Sequence, residues 1–301
     1  SFALLNSLAE AISEIEIEGE FNNTIFDEAQ KTKSREEIER IREIGVKTSN
    51  VMRQAIEFIQ SHYEKDGFIV KQDQTPLTIG EVKRHVLKAL FEVGLEDPEG
   101  MIFSIGRDAG VPHSKGESDS PIRIGESVVF DLFPRESGGG YFHDMTRTFS
   151  IGSARDDVQE TFDQVKFCYD KIVDSLQVDE LASRYQHMTC DIFEELGHET
   201  IRSNPKVENG YVHSLGHGLG IELHSHPRFS TLETNQDRLV PGSVFTIEPG
   251  LYYPDRGFGV RLEDVWTLNH DGEFECLTDF PKELVIKLTG SPDVGGIHRT
   301  N

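Results

Sequence analysis

The chain reads as helix, helix, strands, and then passes through the same series again, an order that few folds accommodate. Ser34 with Glu37 and Thr78 with Glu81 each form a capping box, the hydroxyl placed to accept from the third helical N–H while the carboxylate reaches back. After Ser34 the less polar positions 38, 41, 45, 48, 52, 55 and 59 recur at intervals of three and four, which predicts one amphipathic helix to about His62. A second runs from Thr78 to about Val93. The period then changes: GESVVFDLF and YFHDMTRTF read as strands joined at the Gly138-Gly139-Gly140 turn. After Gly152, helices near 155–176 and 179–196, the latter ended by Gly197, again precede strands. Element order that repeats without sequence repetition predicts an α+β domain with an internal two-fold relation, helices covering one face of a curved antiparallel sheet and the other face left open.

Acids fall on that open face. Along the first strand Val128 and Phe130 share one side while Val129 and Asp131 share the other. Thr246 and Glu248 oppose Phe245 and Ile247, and Arg261 and Glu263 oppose Val260 and Leu262. With Asp144 and His217 this makes four carboxylates and one imidazole in segments that read as strands. Two carboxylates about 4 Å apart repel by roughly 4 kcal/mol at an effective dielectric near 20. Two divalent cations remove the conflict, the imidazole adding a neutral nitrogen, and such a pair lowers the pKa of a shared water. Carboxylate and imidazole donors without thiolate suit manganese, cobalt, iron or zinc.

The phrases FDLF…YFHDMTRTF, HSLGHGLGIELH, PGSVFTIEPGLYYP and GVRLEDV resemble those of the pita-bread metallopeptidases, in particular the aminopeptidase P and prolidase branch, over roughly residues 34–288. The resemblance implies the pita-bread fold and hydrolysis of the bond between an amino-terminal residue and proline. It implies Asp131 on one metal, Asp144 and Glu263 bridging both, and His217 and Glu248 on the second, with manganese the first choice. Glu248 would also take up the proton of the attacking water. His113, His213 and His224 would line the substrate cleft, His213 and His224 donating to the scissile carbonyl or shuttling protons and His113 contacting the leaving side. Arg261 would orient the bridging carboxylates. The partner implied is a peptide with proline second, and the intact protein would be a homodimer. His213 favours this branch over the methionine aminopeptidases, the alternative of the same class; a non-catalytic peptide- or protein-binding module on the same fold is the alternative of another class.

Departures from the family pattern lie in the longer PRESGGG turn, in His143, and in the Ser225-His226 pair, where relatives more often carry an acid. His143 and His226 read as structural or surface groups. Residues 1–33 resemble the end of an amino-terminal domain that is largely absent, leaving 34–301 as the catalytic domain. The Gly216–Gly220 segment lacks the register of a phosphate loop, and its glycines read as allowing close backbone approach beside His217. Ser214 next to His213 makes no nucleophile pair, since adjacency in sequence says nothing of alignment.

Of 301 residues, 53 are acidic and 30 basic, a formal charge of -23 that argues against nucleic-acid and anionic-membrane partners. Cys168, Cys190 and Cys276 have no metal-type spacing and read as reduced thiols of a cytoplasmic protein. No apolar run approaches the roughly 20 residues that span a bilayer, and SFALLNSLAEAI lacks the basic start and cleavage signal of a secretory leader.

Overall fold

A computed structural model describes residues 2–12, 14, 24–232 and 234–290. Both expected capping boxes form, and each opens a helix: Ser34 and Glu37 start Arg35–Gln60, and Thr78 and Glu81 start Ile79–Glu92. Ile38, Ile41, Gly45, Thr48, Met52, Ala55 and Ile59 are all buried along the first of these, so the three-and-four spacing marks its packed face. The second helix pair is Asp156–Asp174 and Ala182–Glu195, followed by Gly197 at φ +89°.

Each helix pair backs its own sheet. In the first half the strands lie in the order Val285–Ile286, Met145–Ile151, Ser127–Leu132, Ile102–Ile105, antiparallel except for the parallel pairing of Val285–Ile286. In the second the order is Phe274–Cys276, Asp264–Leu268, Val244–Ile247, His217–Gly218, Ser225–Arg228, antiparallel throughout. Two cores follow from this. Val128, Phe130 and Phe149 pack under the first helix pair with Val51, Met52 and Val86, and Phe245, Ile247, Val260 and Leu262 pack under the second with Val165, Tyr185 and Phe193. Each fully buried aliphatic or aromatic side chain contributes about 1.5–3 kcal/mol, so packing rather than helix propensity holds the helices on the sheets.

The halves are stitched where the strand Met145–Ile151 runs beside the end of the strand Phe258–Arg261. Arg261 N donates to Thr148 Oγ1 at 2.8 Å, Thr148 Oγ1 donates to Arg261 O at 2.9 Å, and Glu263 N donates to Thr146 O at 3.1 Å. Phe258–Arg261 also pairs with Gly250–Tyr253 in a hairpin, Gly250 opposite Arg261.

The helical start expected in residues 1–33 is the helix Phe2–Ala11, and residues 15–23, most of EIEIEGEFNN, lie outside the described residues. A further capping box, Thr24 with Asp27, opens a short helix Ile25–Gln30 that rests against the strand Ser225–Arg228. Lys33 ties the segment down, its N–H donating to Gly242 O at 2.8 Å and its carbonyl meeting His270 Nε2 at 2.8 Å. The PRESGGG turn holds a two-residue strand, Arg135–Glu136, paired with Leu95–Glu96.

Candidate metal centre

Asp131 and His217 lie within strands, but Asp144, Glu248 and Glu263 do not, contrary to the strand assignment made for all five. Asp144 precedes Met145–Ile151, Glu248 follows Val244–Ile247, and Glu263 falls in the break between Phe258–Arg261 and Asp264–Leu268. The physical reason is that a regular ladder points successive side chains to opposite faces, whereas a broken ladder lets them turn to a common point. Glu248 N donates to Leu215 O at 2.8 Å instead of continuing its strand.

The five side chains converge at the seam. Ligating atoms of Asp144, His217 and Glu263 lie within 4.8 Å of one another. His217 Nε2 stands 3.7 Å from Asp144 Oδ2 and 3.5 Å from Glu248 Oε1. Threonines hold the carboxylates: Thr146 Oγ1 donates to Glu263 Oε2 at 2.7 Å, and Thr246 Oγ1 lies 3.4 Å from Glu248 Oε1 while accepting from His217 N at 3.1 Å. Asp131 is fixed by Arg261, whose Nη2 donates to Oδ2 at 2.6 Å.

Burial sets the electrostatics. Asp131, Asp144 and Glu263 are 7%, 4% and 2% exposed. Burial, then Glu263, Asp131 and Glu248, push the Asp144 carboxyl well above the usual range; burial and Glu263 do the same to Glu248. Burial and Asp131 push Glu263 up to about 8. His217 is driven down to about 3 by burial and by His224, so it is neutral, and its approaches to Asp144 and Glu248 are spacings between potential ligands rather than ion pairs. One guanidinium cannot neutralise four carboxylates, and among the described residues Asp131 Oδ1 and Asp144 Oδ1 are buried with no hydrogen-bond partner. Buried carboxylate oxygens left unpaired beside a neutral imidazole fit divalent cations.

The cluster floors a cleft of about 1410 Å³ that His113, His213 and His224 also line. The His224 ring sits 4.3 Å from that of His217, centroid to centroid. His213 departs from expectation, because both its nitrogens are occupied within the protein: Nδ1 meets Ser214 O at 2.7 Å and Nε2 meets the Tyr252 hydroxyl at 2.8 Å. Burial drives it down to about 3, so the ring is neutral; Nδ1–H then donates to the carbonyl and Nε2 accepts from tyrosine. Arg261 departs too. It reaches Asp131 directly but touches Glu263 only through Thr146, to whose Oγ1 its Nε donates at 3.0 Å, and its Nη1 donates to Tyr252 at 2.8 Å. No bond joins it to Asp144 among the described residues. Tyr252 is therefore a site residue that the sequence reading missed; the signal lies in the hairpin, where Tyr252, two residues beyond the partner of Arg261, faces the same side.

His143 is fully buried, 3.2 Å from Thr278 Oγ1 and beneath Gly45, and burial drives it down to about 4, as a structural group. His226 lines the cleft with its Nδ1 2.6 Å from Asp237 Oδ2. A Cβ on Gly216 would meet Thr246 O at 2.1 Å and one on Gly218 would meet His226 O at 1.9 Å, so both glycines permit close backbone approach on either side of His217.

The sequence pattern of metallopeptidase family M24 matches residues 39–269. A Xaa-Pro dipeptidase from Pyrococcus furiosus is 29% identical over 279 residues, which cover 89% of this chain and 74% of that protein. A probable dipeptidase, PepE, from Mycobacterium tuberculosis is 30% identical over 209 residues, 69% of this chain and 52% of that protein, so the chain spans about half the length of such relatives. Among solved structures, the prolidase from Pyrococcus horikoshii matches with a TM-score of 0.76 at 27% identity, over 94% of this chain and 73% of that one.

Proposed function

The chain belongs to metallopeptidase family M24, and on that premise we propose that it is a metal-dependent exopeptidase cleaving between an amino-terminal residue and proline. The observation that carries the reading is the convergence of four carboxylates and a neutral histidine, two carboxylate oxygens unpaired, on the floor of a histidine-lined cleft. The likeness to a Xaa-Pro dipeptidase and a prolidase supports the choice of substrate.

Asp131, Asp144, His217, Glu248 and Glu263 would hold two divalent ions, manganese first, with cobalt, zinc or iron as alternatives. Bound there, the ions supply charge neutralisation, polarisation of the scissile carbonyl and a lowered water pKa. Glu248, beside His217 and held by Thr246, takes the proton of the attacking water and returns it to the departing proline nitrogen. His224, which lines the cleft beside His217, donates to the oxygen that becomes anionic. His213 acts one step back, holding the Tyr252 hydroxyl that in turn accepts from Arg261. His113 contacts the leaving side. With this reading goes a homodimer in a reducing, cytoplasmic compartment, where the three free cysteines stay as thiols.

The test is to measure metal bound per chain and then turnover of a Gly-Pro dipeptide, an Xaa-Pro tripeptide and a Met-Ala peptide. Metal-dependent cleavage of the proline substrates ahead of Met-Ala is expected. Preferential cleavage of Met-Ala, or binding of proline peptides without turnover by metal-loaded protein, would overturn the reading.

A further inference from the structure

Beside the carboxylate cluster lies a second charge cluster, built on a buried Arg147–Asp264 pair, that the proposed chemistry does not use. Arg147 is 3% exposed and Asp264 is 0% exposed. Every N–H of the Arg147 guanidinium has an acceptor. Nη1 donates to Thr146 O at 2.9 Å and to Glu263 O at 2.7 Å; Nη2 donates to Asp264 Oδ1 at 2.6 Å and to Phe280 O at 2.8 Å; Nε donates to Pro281 O at 3.0 Å. The other oxygen of Asp264 accepts from the Tyr169 hydroxyl and from Lys282 Nζ, and Trp266 Nε1 donates to that hydroxyl at 3.0 Å.

Two of those acceptors bear on the ligands. Glu263 stands in a strand break, where no regular ladder fixes its main chain, and it must be set against Asp144 across the seam between the two halves. Thr146 O receives both Glu263 N, at 3.1 Å, and Arg147 Nη1, while the same nitrogen holds Glu263 O. Arg147 thus closes a ring of main-chain bonds around one ligand, from a strand that begins one residue after another ligand. A lysine could place one ammonium near these oxygens but could not reproduce the planar fork that reaches five acceptors in three segments.

We propose that Arg147, anchored by Asp264, is the positioning residue that registers Glu263 against Asp144 and so sets the spacing of the carboxylates that share metal. The inference rests on the metal-site reading above. Its test is calorimetric titration of the metal-stripped full chain with manganese, alongside thermal melting of the stripped protein, for wild type, Arg147→Lys, Asp264→Asn and Lys282→Met. Lys282 touches the same carboxylate as Arg147 but no ligand main chain, so Lys282→Met reports the general cost of disturbing the buried cluster. Arg147→Lys is expected to weaken manganese binding by about tenfold to a hundredfold, Asp264→Asn to weaken it in the same direction, and Lys282→Met to lower the melting temperature with binding unchanged. Wild-type binding in Arg147→Lys overturns the inference, as does an equal loss in Lys282→Met. Should Arg147→Lys not fold, unchanged binding in Asp264→Asn overturns it instead. Failure of the wild type itself to bind manganese, cobalt, zinc or iron overturns the metal-site reading, a result distinguishable from the others.

Discussion

His213 Nε2 and the hydroxyl of Tyr252 lie 2.8 Å apart, and the same hydroxyl lies 2.8 Å from Arg261 Nη1, whose other terminal nitrogen holds Asp131. A cleft histidine and a candidate metal ligand are thereby joined through one phenol. Tyr252→Phe removes the acceptor of a buried guanidinium and the donor to a buried imidazole at once. A stability loss of about 1–3 kcal/mol is expected from the unsatisfied groups, read by denaturant unfolding, together with a fall in turnover of Xaa-Pro peptides while bound metal stays at the wild-type level. Unchanged turnover would show that the linkage is structural only.

Glu263→Gln tests the ligand assignment against the electrostatic one. The amide keeps the shape and can still accept from Thr146 Oγ1, but it cannot ionise to an anionic ligand as a carboxyl can, even one that burial and Asp131 push up to about 8. Bound metal and turnover are expected to be lost while the melting temperature of metal-free protein near pH 7 changes little, because a carboxyl pushed up to about 8 is already largely protonated there. A variant that keeps full metal occupancy would contradict the assignment of Glu263 as a ligand.

Part of the fold and the site is legible in the sequence, and the division has a physical basis. Capping boxes and three-and-four spacing are local, so the helices after Ser34 and Thr78 read correctly to within a residue or two. Alternation is local too, and it sets Phe130 and Asp131, or Ile247 and Glu248, on opposite faces. The breaks that carry Glu248 and Glu263 off the strand ends depend on bonds to Leu215 and Thr146 from other segments. No spacing announces those. Tyr252 escaped for a similar reason, since its partners His213 and Arg261 are set by hairpin register and by the approach of a separate loop. The packing of Ile25–Gln30 on Ser225–Arg228 was likewise invisible, being a contact across about 200 residues of chain.

Gly218→Ala probes the close approach beside His217. The added methyl would meet backbone atoms, His226 O at 1.9 Å and C at 2.2 Å, and backbone cannot swing aside as a side chain can. The strand Ser225–Arg228 must then move from His217–Gly218, at a cost of about 1–3 kcal/mol or more for overpacking. A lower melting temperature and weaker metal binding are expected together, because the displaced pair carries His217. Gly138→Ala, in the exposed turn where nothing lies within 4 Å of the new methyl, is the control that should leave metal binding intact.

Lys33 yields the pH test. Its side chain is 4% exposed, with Nζ donating to Gln30 O at 2.7 Å, and burial brings it down to about 8 from an ordinary 10.5. The unfolded chain therefore binds a proton between about pH 8 and 10.5 that the folded chain does not, so this group makes stability rise with pH across that window. Below pH 8 the folded state carries the desolvated charge, a penalty of roughly 3 kcal/mol. Lys33→Met, which keeps the aliphatic volume beside Gly220, is expected to stabilise the protein near pH 7, with the advantage shrinking through the window and gone above pH 10.5. Urea unfolding of both proteins at pH 7 and at pH 10.5 measures it. An equal difference at the two pH values would show that the lysine charge is not what burial penalises.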